Sequence, residues 1–228
     1  MLPVAQSTRS PMGELFQNPE VAAEGIEAPR GTIITEAGAV AEHVYYIHHG
    51  QVRLYQIGPD SEARLVEILG PGQWFGCSAF SDRGTHVAQA VAATQTQLSK
   101  ASAQRLLTVA ARNPQSAVEI IRHLAGSVQS AREESGRLVF QDCNQRLVSA
   151  MIRFSESAAA TVQGDHVVLH LTHEQLAQAV GAARETISLA LTEMRHRNLV
   201  RTGRNRLIFN RDALRAFANG NGHAVSVG

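Results

Sequence analysis

Residues 181–200, GAARETISLALTEMRHRNLV, combine a glycine, a helical pattern and a cluster of polar side chains near the start of the helix. Arg184 can donate to guanine O6 and N7 or to a phosphate, and Glu185 can accept from cytosine N4. Ser188 is a short donor or acceptor that allows close approach to a base edge. The same residues could instead cap and solvate an ordinary surface helix. The segment therefore has two interpretations, a solvated helix or a surface that reads nucleic acid.

The surrounding sequence predicts two helices joined by a tight turn. Thr172 and Gln175, three residues apart, form a capping box at the start of the first helix. Gly181 supplies the turn, because a residue with a Cβ resists that conformation. An apolar stripe at i, i+4 and i+7 holds the second helix down, and it consists of Ile187, Leu191 and Met194. Such a pair is a helix-turn-helix, whose second helix lies in the major groove. A generic helical hairpin is the competing interpretation.

Two strand-like pieces in LVRTGRNRLIF flank Gly203 directly after the helix pair. Three arginines around the tip predict a β-wing that reaches phosphates, and a solvated hairpin is the alternative. The predicted DNA-contacting residues are therefore Thr172, His173, Arg184, Glu185, Thr186, Ser188, Leu189, Arg201, Arg204 and Arg206.

Residues 31–107 have the pattern of short strands separated by turns. HVYYIHHG, QVRLYQIG and ARLVEILG are rich in β-branched and aromatic residues, and Gly, Pro, Asp and Ser follow at regular intervals. This spacing is typical of a β-sandwich or barrel. Residues 1–20 are polar and mixed, and we expect them to form a loose arm.

A long helix is predicted next, with Asn113 as its N-cap and Pro114 at its first position. A heptad seam runs along it in alternating steps of four and three residues, through Ala117, Ile121, Leu124, Val128, Ala131, Ser135 and Leu138. This period favours a helix that pairs with its own copy, although a helix packed only on the barrel is the alternative. Because several seam residues are small, we expect the barrel to contribute to the dimer contact.

A second helix is predicted to follow, with Asp142 as its N-cap. The residues between the two helices, Phe140, Gln141 and Asp142, form a natural hinge. The fold class is therefore α+β, with three predicted parts. Residues 1–112 form a β-barrel domain with an N-terminal arm, 113–141 the dimerisation helix and hinge, and 142–228 the DNA-binding domain.

The charge distribution and the cysteine content indicate which classes of partner the chain could bind. Residues 143–228 hold ten arginines and six acidic residues, which gives +4 and leaves −3 for the rest of a chain of net charge +1. A basic C-terminal part favours a polyanion partner. Two cysteines, Cys77 and Cys143, are too few for a disulfide framework and lack zinc-ligand spacing, so no metal is predicted. No apolar run approaches the ~18 residues of a membrane span, and no secretory signal is visible. We expect a cytoplasmic protein with no membrane partner.

On these residues the chain resembles the cyclic-AMP receptor protein / fumarate–nitrate regulator family of transcription regulators. The most specific stretch is LTHEQLAQAVGAARETIS, while YYIHHGQVRLY and LGPGQWFG resemble the family's barrel strands and phosphate-cassette entrance. The resemblance covers about residues 22 to 217. It implies a cyclic-nucleotide-binding-like barrel of jelly-roll or double-stranded β-helix form, then a dimerisation helix and a winged helix-turn-helix. It also implies a homodimer that binds a two-fold-related double-stranded DNA operator and recruits or blocks RNA polymerase. We expect an activator.

Two residues of the second helix depart from the family pattern. Leu189 stands where the family commonly has a second arginine, which removes a bidentate guanine contact. A leucine can pack on a thymine methyl instead, so we expect an unfamiliar half-site. Ala183 replaces the usual Ser or Thr, so a cap or a phosphate contact is lost.

The family's effector residues do not carry over. Cyclic-AMP-binding members have a glutamate after the cassette glycine and a later Arg-Ser pair, but here Cys77 and Ser78 follow Gly76, and His86 and Val87 occupy the later pair. The family's Thr-Ser pair on the long helix falls at Ala131 and Arg132. A phosphate without a fixed arginine loses its main bidentate partner, although Arg83, near in sequence, could substitute. The sequence therefore predicts against cyclic AMP and favours a regulator that needs no effector and no cofactor.

Three alternatives stay open at this stage. Cys77, with His86 nearby in sequence, could be a sensor thiol or a haem ligand, although a small buried hydrophobe is the more ordinary role. Another small molecule could occupy the barrel. A ligand-binding module without DNA binding is the rival from another class, against which the basic wing argues. An enzyme is not expected, because P-loop, G-x-G-x-x-G, G-x-S-x-G and H-E-x-x-H motifs are absent.

Overall fold

A computed structural model describes residues 10–218, with the backbone alone at residues 137–140. Its α-helices are α1 (Pro11–Gln17), α2 (Ala103–Ala110), α3 (Pro114–Phe140), α4 (Cys143–Phe154), α5 (His173–Val180), α6 (Arg184–His196) and α7 (Arg211–Ala218), and a 3₁₀ turn spans Cys77–Phe80. The strands are β1 (Glu24–Ala28), β2 (Ile33–Thr35), β3 (His43–His49), β4 (Val52–Ile57), β5 (Ala63–Leu69), β6 (Trp74–Phe75), β7 (Gln89–Ala92), β8 (Thr96–Ser102), β9 (Ala160–Gln163), β10 (His166–Leu169), β11 (Val200–Gly203) and β12 (Arg206–Asn210).

Contacts divide the described chain into two compact units. The first contains the residues up to 57 together with 69–133, and the second contains 58–68 together with the residues from 134 onward. The predicted division into parts 1–112, 113–141 and 142–228 stays a prediction. Among the described residues, no helix is long and apolar enough to cross a membrane.

The first eight strands form two antiparallel sheets with the orders β1-β8-β3-β6 and β2-β7-β4-β5. Side chains from both sheets share one core, which consists of Tyr45, Ile47, Val52, Leu69, Phe75, Ala90 and Leu98. The Tyr45 and Phe75 rings stack with their centroids 5.0 Å apart. The two sheets stay separate rather than closing on each other, which fits the jelly-roll form of the predicted barrel.

The N-terminal arm is not loose over residues 11–17, so that expectation is wrong there. Ser10 caps α1, because its Oγ accepts a hydrogen bond from the Gly13 amide at 3.0 Å. Three apolar side chains of this short helix, Met12, Leu15 and Phe16, are buried. They lie at i, i+3 and i+4, so one helical face is apolar and packs in a second core with Tyr46 and Trp74.

Helix α3 begins as predicted. The Asn113 Oδ1 accepts from the Gln115 and Ser116 amides at 3.2 and 3.4 Å, which confirms Asn113 as the N-cap. Ser116 and Ile120 are buried, and the His123 ring stacks on Trp74 with centroids 3.9 Å apart. Burial lowers the pKa of His123. One face of the helix therefore packs on the second core of the first unit.

The predicted heptad seam lies beside that face. Ile121 and Val128 are 64% and 53% exposed, while Leu124 is partly buried against the second core. Ala131 and Ser135 are exposed and Ala117 is half-buried. The side chain of Leu138 lies outside the described residues. Helix α3 thus carries two apolar stripes, of which one is covered by its own chain and the other is largely open.

The break between α3 and α4 is shorter than the predicted hinge. Helix α3 continues through Phe140, whose side chain lies outside the described residues, so only Gln141 and Asp142 interrupt the two helices. Asp142 and Gln145 form a full capping box, with side-chain contacts of 2.8 and 3.0 Å to each other's amides. The Gln141 carbonyl accepts from Arg146 at 3.0 Å. Reciprocal capping, which the sequence shows only in part, accounts for this sharp break.

Candidate nucleic-acid interface

Helices α5 and α6 are joined by the tight turn that the sequence predicts. The Thr172 Oγ1 accepts from the Gln175 amide at 3.1 Å, and the Gln175 Oε1 accepts from the Thr172 amide at 3.0 Å. Gly181 ends α5 with φ of 69°, in the left-handed region that favours glycine. The stripe that holds α6 against the unit, consisting of Ile187, Leu191 and Met194, is buried.

Replacing Thr172 with alanine is expected to lower the free energy of unfolding by about 1 kcal/mol, because the Gln175 amide loses its acceptor. Chemical denaturation monitored by circular dichroism measures the change. Thr172→Ser is the matched control, since it keeps the hydroxyl and should retain most of the stability. Equal destabilisation by both substitutions would contradict the capping role.

Helix α6 presents polar side chains on the face opposite its buried stripe. Arg184, Glu185 and Thr186 in its first turn are exposed. Leu189 lies one turn further along the same polar face and is 74% exposed. Such exposure is unusual for a large apolar side chain. Ala183 makes no side-chain cap, as its methyl group requires. The exposed face therefore combines a forked donor, an acceptor and an apolar contact in one row.

Ser188 differs from these neighbours because it is half-buried and already bonded. Its Oγ donates to the Arg184 carbonyl at 3.0 Å and lies 2.9 Å from the His173 Nδ1 on α5. Burial first, and then the charge of Arg184, lower the pKa of His173. The sequence suggested a free donor or acceptor at Ser188, and nothing in its spacing indicated the link to His173.

The wing is a two-stranded hairpin of β11 and β12, as predicted. Gly203 pairs with Arg206 at its end, and Asn205 takes a φ of 56° in the turn. A Cβ on Gly203 would lie 2.9 Å from the Arg206 Nε, so this glycine lets the arginine side chain fold across the tip. Arg201, Arg204 and Arg206 are all exposed. The tip is thus a compact basic surface.

Acidic residues in this unit neutralise a different group of arginines. Glu193 pairs with Arg197 at 2.7 Å, and Glu156 with Arg215 at 3.4 Å. Within residues 10–218, the arginines that form no ion pair include Arg184, Arg195, Arg204 and Arg206. Arginines without an ion pair therefore lie on α6 and on the wing, where a polyanion could be bound.

The side chains of the predicted effector residues differ in how far they are buried. Gly76 has φ of 92°, and a Cβ there would lie 2.7 Å from the His43 carbonyl oxygen. Cys77 is partly buried against the second core, which fits a small hydrophobe. His86 is buried, and burial first, then His43, lower its pKa. Val87 is 74% exposed.

The remaining effector residues lie on α3. Ala131 and Arg132 are exposed on α3. The loop after Gly76 is folded on itself, because the Ser81 amide and Oγ both lie within 3.2 Å of the Ser78 carbonyl oxygen. Within residues 10–218, no group of three or more His, Cys, Asp or Glu side chains could hold a metal. His48 and His49 do not form a pair of metal ligands. The His48 Nε2 is hydrogen-bonded to the Ser99 Oγ at 2.7 Å, and His49 is exposed.

Two family models match the chain. Residues 26–113 match the cyclic nucleotide-binding domain, and residues 145–217 match the Crp-like helix-turn-helix domain. The first covers both sheets except the first two residues of β1, and the second covers α5, α6 and the wing. The order of the two matches is the order that the sequence predicts.

Relatives and solved structures agree with these matches. The CRP-like cAMP-activated global transcriptional regulator of Mycobacterium tuberculosis is 28% identical over 177 residues, which cover 77% of this chain and 79% of that protein. The cyclic AMP receptor protein of Thermus thermophilus is 29% identical over 77% of this chain and 78% of its own. The structure of the c-di-GMP-responsive global regulator CLP of Xanthomonas campestris has a TM-score of 0.75 at 19% identity, covering 86% of this chain and 98% of that one. The relatives are transcription regulators rather than enzymes.

Proposed function

This chain belongs to the CRP/FNR family of transcription regulators, and from that membership we propose that it acts as a homodimer on a two-fold-symmetric DNA operator. The observation that carries the proposal is the exposed row on α6, where Arg184, Glu185 and Leu189 stand free beside a basic wing. We also propose that it activates transcription through RNA polymerase, in the cytoplasm of a bacterial cell. Transcription from a promoter that carries the operator, with and without the protein, tests the sign of the effect.

In this proposal α6 lies in the major groove with its first turn against the base edges. Arg184 donates to a guanine or a phosphate, and Glu185 accepts from a cytosine N4. Leu189 packs on a thymine methyl, because its exposed side chain has no polar group to offer. The wing arginines Arg204 and Arg206 bind phosphates and fix the orientation of the unit without reading sequence.

Selection from a random pool of duplexes tests DNA binding directly. We expect the full chain to enrich a sequence with two related half-sites about one helical turn apart. Affinity for that duplex should fall steeply with salt, since each neutralised phosphate adds about −0.9 to the slope of log K against log salt. A ligand-binding module without DNA binding would enrich nothing and show no such slope.

The dimer in this proposal forms along the open stripe of α3. Ile121 and Val128 are large, apolar and exposed on the single chain, and they lie one heptad apart. A two-fold axis along this stripe would bury each residue against its own counterpart. The same symmetry would set the two α6 helices on equivalent half-sites of the operator.

We propose that this protein differs in its effector from the relatives that are named for cyclic AMP. Cys77 and Ser78 supply no carboxylate for a ribose hydroxyl, and His86 and the outward Val87 supply no arginine for a cyclic phosphate. We therefore propose that DNA binding needs no cyclic AMP and no cofactor. Regulation would then follow the amount of protein present.

Adding cyclic AMP is expected to leave the dissociation constant for the selected duplex unchanged within about twofold, because His86 and Val87 hold no guanidinium for the cyclic phosphate. Fluorescence anisotropy with and without the nucleotide measures this. The Mycobacterium tuberculosis relative, named as cAMP-activated, is the positive control under the same conditions. A rise in affinity of this protein with the nucleotide would overturn the proposal.

The second candidate is a sensor that uses Cys77, which is partly buried near the buried His86 in the chain. An absorbance spectrum and an intact-mass measurement of the natively purified protein decide between the two. A Soret band would favour the sensor, and a bound nucleotide would overturn the effector-free proposal. An unmodified mass with no visible absorbance would favour the effector-free regulator.

A further inference from the structure

One hydrogen bond joins the two helices of the helix-turn-helix through polar side chains. The His173 Nδ1 on α5 lies 2.9 Å from the Ser188 Oγ on α6. Ser188 also donates to the Arg184 carbonyl of its own helix at 3.0 Å. His173 and Ser188 are half-buried, whereas Arg184 is exposed. The pair therefore lies at the edge of the face that the proposed function places against DNA.

The two contacts of the Ser188 hydroxyl favour one tautomer of the His173 ring. Ser188 has one hydroxyl proton, and the Arg184 carbonyl can only accept, so that proton is used within α6. With the hydroxyl proton on the Arg184 carbonyl, the arrangement that satisfies both contacts has the Ser188 Oγ accepting from His173 protonated on Nδ1. A neutral imidazole carries one N–H, so its Nε2 holds a lone pair and cannot donate. Among the described residues, this Nε2 makes no hydrogen bond.

The neutral His173 ring therefore has no N–H to donate to a phosphate from Nε2, whereas the imidazolium has one. The first helix of a helix-turn-helix crosses the sugar–phosphate backbone, and His173 is the first residue of that helix. A phosphate oxygen accepts but does not donate, so it repels the Nε2 lone pair of the neutral ring. The imidazolium has two N–H groups and satisfies Ser188 and the phosphate together.

We propose that His173 takes up a proton from solvent when this unit binds duplex DNA, so that Nε2–H donates to a backbone phosphate while Nδ1–H stays on Ser188. The inference rests on the proposed function, since it needs the α5–α6 unit to dock on DNA. It makes affinity dependent on pH and makes Ser188 a positioning residue that decides which ring nitrogen is free.

The electrostatic surroundings favour this change on binding. In the free protein burial and Arg184 hold the pKa of His173 below its ordinary value, so the ring is neutral at pH 7 and above. Glu174 on α5, Glu185 on α6 and His170 before α5 are the other charged or titratable side chains nearby in the chain, and all are exposed. Phosphates reverse the sign of the field at the ring, which raises the pKa of His173 in the complex.

The sign of the pH dependence follows from these two states. Because the complex binds the proton more tightly than the free protein does, affinity rises as pH falls from the pKa of the complex to the pKa of the free protein. Outside that window both states hold the same number of protons, and affinity is flat. Within it, the slope of log affinity against pH approaches −1 for each docked unit.

The test uses the full chain and a duplex recovered from a random pool, at constant ionic strength between about pH 5.5 and 8.5. Anisotropy gives the slope, and calorimetry in buffers of different ionisation enthalpy counts the protons taken up. His173→Asn keeps an amide donor for Ser188 but cannot titrate, so it should flatten the slope. His173→Arg carries a permanent charge, so it should flatten the slope while keeping tight binding at high pH.

Ser188→Ala separates this mechanism from a general electrostatic effect. Without Ser188 the neutral ring can place its proton on Nε2 and donate to the phosphate, so proton uptake should fall below that of the parent chain. His170→Asn, at an exposed histidine outside both helices, is the control and should leave the slope unchanged. If the parent chain and His173→Asn bind the duplex with the same slope of log affinity against pH, the inference is wrong and the proposed function still stands. Failure of the full chain to enrich any duplex would remove the proposed function and this inference with it.

Discussion

Replacing Arg184 with alanine is expected to weaken binding to the selected operator by about 1–3 kcal/mol, a loss of roughly tenfold or more in affinity. Arg184 opens α6, is exposed and forms no ion pair among the described residues, so its guanidinium is available to a base edge. A forked donor fits the O6 and N7 acceptors of guanine, and a truncated side chain leaves both unmatched. Anisotropy titrations at fixed salt measure the loss.

Arg197→Ala is the matched control for Arg184→Ala, because it removes one positive charge from the end of the same helix. Arg197 pairs with Glu193 at 2.7 Å, and its loss should change affinity little. The selected sequence supplies a second measurement, since Arg184→Ala should relax preference at one position of each half-site. Equal losses for the two variants, with base preference unchanged, would contradict base reading by Arg184.

Local sequence signals were sufficient to locate the helix-turn-helix. Capping at Thr172, the turn at Gly181 and the buried stripe of α6 all depend on residues within a few positions of one another, and the structure confirms each of them. The His173–Ser188 bond could not be predicted in the same way. It joins residues fifteen positions apart through one rotamer of each side chain, and spacing alone does not fix rotamers.

The first unit was harder to predict because its burial depends on partners distant in the chain. Helix α1 was expected to be loose, yet Phe16 packs with Tyr46 at a ring distance of 5.5 Å. Ser10 and Pro11 are a capping signal that the polar composition of the arm obscured. The heptad pattern of α3 likewise assigned to one seam two residues that have different surroundings. Leu124 packs partly against the core of its own chain, while Ile121 is exposed.

Replacing Ile121 with aspartate is expected to disrupt the proposed dimer more severely than any other single change discussed. Ile121 is 64% exposed on the single chain, so the substitution should not disturb the fold of that chain. In a two-fold interface each introduced carboxylate would face its own counterpart or an apolar neighbour, and such like-charge juxtaposition costs several kcal/mol. Sedimentation velocity should show monomers at concentrations where the parent chain is a dimer.

Operator binding provides the second measurement of the Ile121→Asp effect. A monomer engages one half-site at a time, so affinity for the full operator should fall by about a hundredfold or more, which is roughly 3 kcal/mol. Affinity for a duplex with a single half-site should change little, because α6 and the wing are untouched. Ser130→Asp adds the same charge at an exposed position of α3 outside the seam and should leave both properties intact. If Ile121→Asp and Ser130→Asp sediment alike as dimers, the open stripe of α3 is not where two chains meet.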